Sequence, residues 1–115
     1  MRTLKNARAV KASDKRLLRN LKETVQRILP SAELLLYGSV ARGTASADSD
    51  YDILILTDQA LSVQAEDVVR GAIYELELCH GVVISTIFYT KVQWRTPLAS
   101  AMPFHKQVEK ESILL

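Results

Sequence analysis

The sequence predicts an α+β domain: a small mixed β-sheet with helices packed mainly on one face. Two observations predict it. Apolar or β-branched runs of strand length occur at 34–37, 51–56 and 82–89 and are bounded by turn residues. Apolar residues recur at helical spacing over 17–29 and 68–80. The order is helix, strand, strand, helix, strand, helix. With strands this short, a sheet covered by helices is the architecture that buries them.

Taken in order, residues 1–12 mix small and basic side chains and form a candidate loose arm. Ser13 or Asp14 is placed to cap the first helix, along which Leu17, Leu18, Leu21, Val25, Ile28 and Leu29 recur until Pro30. Lys15, Arg16, Arg19, Lys22 and Arg27 lie between them and read as a solvated face, with a nucleic-acid surface as the lesser alternative. Leu34-Leu35-Leu36-Tyr37 is a buried strand that stops at Gly38. Residues 38–49 are small and polar, which is loop chemistry with room for one helical turn begun by Ser39. Residues 51–56 form the second strand, ended by Thr57-Asp58. Val68, Val69, Ala72, Ile73, Leu76 and Cys79 or His80 mark the second helix, with Gly81 as its stop. Residues 82–89 form the third strand. The tail holds Pro97, Pro103, a short polar helix near 105–110, and Ile113-Leu114-Leu115. Trp94 and Cys79 read as core packing residues, His80 as a helix-end residue and His105 as a surface one.

Composition narrows the function classes. A chain of 115 residues fits one domain, 1–115, with no separate lobe for a second substrate. The net charge of +2 points neither to nor away from a nucleic-acid partner. Cys79 is the only cysteine, so an internal disulfide is excluded and a cysteine-based zinc site is disfavoured; a reducing compartment suits such a chain. The basic stretch 1–16 has no apolar core of signal-peptide length, and no apolar run approaches the roughly 20 residues a bilayer requires. The expectation is a cytoplasmic protein with no membrane association.

The informative segment runs from Leu36 to Leu56. Asp50 and Asp52 stand two apart at the start of a strand, so both carboxylates point to the same side. Two such charges repel, and one would tend to stay protonated. A hard divalent cation removes that conflict, and Mg²⁺ takes one or two carboxylates together with phosphate oxygens and water. An Asp-x-Asp by itself more often marks two exposed aspartates. Gly38-Ser39 strengthens the signal: a strand ending in Gly-Ser lets backbone N–H groups and a hydroxyl approach a phosphate with no Cβ in the way. A helix begun at Ser39 would add its free N–H groups. Taken alone, Gly38-Ser39 reads equally well as an ordinary tight turn.

Gly38-Ser39, ten intervening residues at 40–49, and then Asp50-Tyr51-Asp52 resemble the signature of the DNA polymerase β-type nucleotidyltransferase superfamily. The flanking apolar strands and Arg42-Gly43 also match. The resemblance covers roughly residues 14–95, and the tail 103–115 is similar to the ends of small stand-alone members, the minimal nucleotidyltransferases. It implies a polymerase β palm-like fold. It implies that Gly38 and Ser39 hold the β- and γ-phosphates of an NTP, ATP foremost, and that Asp50 and Asp52 hold one or two Mg²⁺ ions. Arg42 has no fixed role in the family; it is either a phosphate contact or a surface arginine. Tyr51, between the acids, should face away from them.

The sequence departs from the family pattern at one place. Active members carry a third acid on a later central strand, and the matching strand here, 81–89, contains no Asp or Glu. Ser85 stands about where the acid is expected, with Thr86 as the alternative. A hydroxyl is a poor general base and a weaker Mg²⁺ ligand than a carboxylate. Glu75 or Glu77 on the second helix is a minor candidate to replace it.

Two functions follow from the resemblance. One is an enzyme moving a nucleoside monophosphate from an NTP to a hydroxyl acceptor, which a partner protein would supply. The other is a catalytically weakened nucleotide-binding module that acts as the antitoxin of a small helical HEPN-type toxin by binding it. A second copy of the chain is the other candidate partner.

Overall fold

A computed structural model describes residues 2–115. Its centre is a five-stranded sheet in the order β1-β5-β2-β3-β4. The strands are β1 (Arg2–Thr3), β2 (Glu33–Tyr37), β3 (Tyr51–Thr57), β4 (Ile84–Thr90) and β5 (Ile113–Leu114). β2 is antiparallel to both β3 and β5, whereas β3 runs parallel to β4 and β1 parallel to β5. The sheet is therefore mixed, as expected.

The helices are α1 (Ala12–Ile28), α2 (Gly38–Arg42), α3 (Val63–His80), α4 (Lys91–Trp94), α5 (Pro97–Ala101) and α6 (Pro103–Glu111). α1 begins one residue before Ser13, which with Asp14 falls in its first turn, and its N-cap Lys11 makes no side-chain capping bond. α3 starts five residues before the first apolar repeat at Val68, because the Ser62 side chain accepts the Ala65 N–H at 3.1 Å and caps it. It stops where expected, at Gly81, whose φ of +65° ends the helix in the left-handed region.

Strand periodicity sorts the core into two layers. Leu34, Leu36, Ile53, Ile55 and Ile113 join Leu18, Leu21 and Val25 of α1 and Val69 and Ile73 of α3 in the larger cluster. Leu35, Leu54 and Leu56 face the other way, onto Trp94 of α4 and Val108 of α6. The two long helices thus share one face, and the short C-terminal helices cover a smaller layer on the opposite face. Trp94 anchors that layer, with edge contacts to Tyr89 and Phe104.

Three local expectations are corrected. Residues 2–10 are not a loose arm: β1 extends the sheet beside β5, and Leu4, Ala7 and Val10 are buried. Cys79 is exposed rather than packed. It lies six residues after Ile73, about 240° around the helix from the buried face. His105 is not a free surface residue; it stacks on Trp94 with ring centres 4.2 Å apart. Among the described residues no helix is long and apolar enough to cross a membrane.

Candidate active site

β3 is flanked by β2 and β4, and its second residue, Asp52, sits at the edge of the C-terminal-helix layer. Asp52 shares a face with Leu54 and Leu56. It is paired with Tyr37 across the antiparallel ladder and with Ser85 across the parallel one. Asp50 comes to the same side just before the strand, and its Oδ2 accepts the Ser85 hydroxyl at 3.3 Å. Tyr51 turns to the opposite face, where its phenol donates to Asp14 of α1 at 2.5 Å. Thr86 also faces away, accepting from Arg70 of α3 at 3.1 Å. Ser85 therefore stands with the aspartates and Thr86 does not.

Gly38 forms the other wall. Its φ is +78°, a conformation that side-chain-bearing residues rarely adopt. A Cβ there would collide with Oδ2 of Asp52. The Gly-Ser turn is thus set directly against the second aspartate, and only a glycine permits that approach. Ser39 follows, half-buried, and Arg42 closes the single turn of α2 in an exposed position. Gly38, Ser39, Arg42, Asp50, Asp52 and Ser85 are brought to one region from three strand ends and the loop that joins two of them.

The electrostatics match this crowding. Burial raises the Asp52 carboxyl above its ordinary value and the charge of Asp50 raises it further; Arg42 opposes the shift and Glu111 adds to it. Tyr37 is raised by burial and then by Asp52. A pair of same-side carboxylates, one resisting ionisation, with a hydroxyl alongside is an all-oxygen donor set of the kind Mg²⁺ accepts when phosphate and water complete its shell. Among the described residues there is no cluster of three or more His, Cys, Asp or Glu arranged to hold a metal. A cation held by these side chains would need further ligands from outside them to complete its shell. Glu77 does not fill the gap: its Oε2 accepts the Ile84 N–H at 2.8 Å, capping the start of β4. Glu75 is exposed on α3.

One residue at the site was not anticipated. Glu111, the last residue of α6, places Oε1 3.0 Å from the Gly38 N–H, which donates to it. Nη1 of Arg42 donates to both of its carboxylate oxygens, at 3.2 and 3.0 Å, and Gln107 donates at 3.1 Å. Burial pushes the Glu111 carboxyl up, but the hydrogen bonds from Arg42, Gly38 and Gln107 outweigh it and hold it below its ordinary value. Glu111 is 73 residues from Gly38. No local pattern could have linked the two.

The region is open. A depression of 470 Å³ reaches Asp50 from the Tyr51 side, walled by Asp14, Ser46, Asp48 and Val83. A second, of 490 Å³, lies on the α6 flank and is lined by Arg2, Arg42, Lys106, Gln107, Lys110 and Glu111.

Residues 18–115 match the family model described as a nucleotidyltransferase domain. That span contains all six residues named above. No curated protein matches the chain.

Proposed function

The chain belongs to the nucleotidyltransferase domain family, and from that premise we propose that it transfers a nucleoside monophosphate from an NTP, ATP foremost, to a hydroxyl acceptor with Mg²⁺. The observation that carries this reading is the contact between Gly38 and Asp52, which sets a phosphate-type turn against a same-side carboxylate pair. Asp50 and Asp52 hold the metal. Ser39 and the turn around it hold the terminal phosphates, with Arg42 within reach of their charge. Mg²⁺ bound there supplies polarisation of the α-phosphate and neutralises charge on the leaving pyrophosphate. In this reading a partner protein supplies the acceptor hydroxyl.

Ser85 supports the second reading, a nucleotide-binding module of weakened turnover that neutralises a small helical HEPN-type toxin by binding it. It pairs with Asp52 across the parallel ladder, its hydroxyl donates to Asp50, and a hydroxyl does not serve as a general base near neutral pH. The same experiment separates the two. In calorimetry with Mg²⁺ and ATP, the parent is expected to bind and Asp50→Asn/Asp52→Asn to lose that binding. Equal affinity in the double variant rules out the site. Incubation with labelled ATP and candidate protein acceptors then reads transfer: label on a partner marks the enzyme, and tight nucleotide binding without label marks the module.

A further inference from the structure

The Gly38 N–H, on the residue set against Asp52, and the Arg42 guanidinium are both already engaged by the Glu111 carboxylate. Its side chain is only 11% exposed, against 45% for Arg42. Three groups donate to it: the backbone N–H, the guanidinium and the Gln107 amide. A phosphate oxygen would seek the same kind of donors. The surrounding groove carries Arg2, Arg42, Lys106 and Lys110 against this one carboxylate. It therefore has a surplus of positive charge that Glu111 offsets only in part. Arg2 secures the end of α6 from below, donating to the Glu111 carbonyl at 2.6 Å.

We propose that Glu111 is the affinity-determining residue of the phosphate subsite: its carboxylate stands where a terminal phosphate of the nucleotide would lie, and the polyphosphate must take Gly38 and Arg42 from it. The proposal rests on the reading of the site under Proposed function and names the residue that tunes it. The exchange replaces one anion by another on the same donors, so the net gain from phosphate is smaller than an empty donor pair would give. A carboxylate left beside the incoming phosphates also repels them.

The experiment uses the full chain with inorganic tripolyphosphate as probe, without Mg²⁺, and in parallel Mg²⁺ with ATP. Glu111→Gln keeps an oxygen to accept the Gly38 N–H and removes the charge. It is expected to bind tripolyphosphate on the order of tenfold more tightly than the parent, the scale of one charge-assisted contact. Unchanged or weaker binding, with the thermal midpoint of the parent retained, overturns the proposal and makes Glu111 a residue that merely props the turn. Should the variant fold poorly, NMR of the parent decides. Tripolyphosphate is expected to shift the Gly38 amide and the Glu111 carboxyl carbon along one saturation curve. A Glu111 signal that stays fixed overturns the proposal. The metal-free arm reads the Gly38–Arg42 subsite alone, whereas loss of Mg·ATP binding in Asp50→Asn/Asp52→Asn reads the aspartates. Failure of either idea is therefore seen separately.

Discussion

Ser85 differs from an acidic residue by the charge that a third metal ligand would bring. Its Oγ is 3.3 Å from Asp50 Oδ2, and it lies opposite Asp52. Ser85→Asp would place a third carboxylate beside two that already repel. Because Asp52 is raised by burial and by Asp50, the stability it contributes is present below its unfolded value and is lost as pH rises through its folded one. At neutral pH the ionised Asp52 therefore opposes folding, and a third charge adds to that. Ser85→Asp is expected to lower metal-free stability at pH 7 by on the order of 1 kcal/mol, about one unit of carboxylate shift. Mg²⁺ should restore more stability to the variant than to the parent, and metal-dependent transfer should rise when an acceptor is present. Thermal melts with and without Mg²⁺ check this. A loss that Mg²⁺ leaves untouched would mean that the new carboxylate does not reach the metal.

At the scale of elements, the site depends on how β3 is held to α1. The same alternation that presents Asp50 and Asp52 to one face sends Tyr51 to the other, where it donates to Asp14 in the first turn of α1. Burial, then the hydrogen bond and charge of Asp14, push the Tyr51 phenol up to about 12. Its folded value is above the unfolded one, so the contribution is fully present below about 10 and is lost as pH rises through about 12. Tyr51→Phe is expected to cost about 0.5–1.5 kcal/mol at neutral pH and to flatten the fall in stability over that alkaline window. Denaturant titrations at pH 7 and across the alkaline limb measure both. An unchanged alkaline limb in the variant would show that the pair does not link β3 to α1.

For the molecule as a whole, residues 2–3 and 113–114 meet in the sheet. β5 lies between β1 and β2, with Ile113 fully buried in the larger core cluster. Leu115 donates its N–H to Leu34 at 3.0 Å. Residues 111–115 therefore hold the N-terminal segment, the edge of the core and, through Glu111, the turn at Gly38. Ile113→Ala is expected to destabilise the fold by about 2–5 kcal/mol, the range for deleting a large buried aliphatic side chain. Urea denaturation is the measurement, and a loss below about 1 kcal/mol would mean that β5 is not part of the cooperative core.

The sequence by itself determined the mixed sheet, its three long strands, the two long helices and the two halves of the candidate site. Each of these is written in short-range periodicity. Alternation placed Asp50 and Asp52 together and Tyr51 opposite, a glycine marked the turn after β2, and 3.6-residue spacing marked the faces of α1 and α3. Only the tertiary structure decided the rest. β1 and β5 are two residues long, too short for any pattern, and exist because β5 pairs with β2 and β1 pairs with β5. Cys79 was misplaced because a residue at the last turn of a helix can satisfy a loose apolar count while lying off the buried face. Ser85 and Thr86 were separated by register with β3, which sequence spacing does not fix. Glu111 reaches Gly38 and Arg42 because α6 packs across the end of β2. That long-range contact puts a carboxylate on the turn at Gly38, and no local rule of chain conformation encodes it.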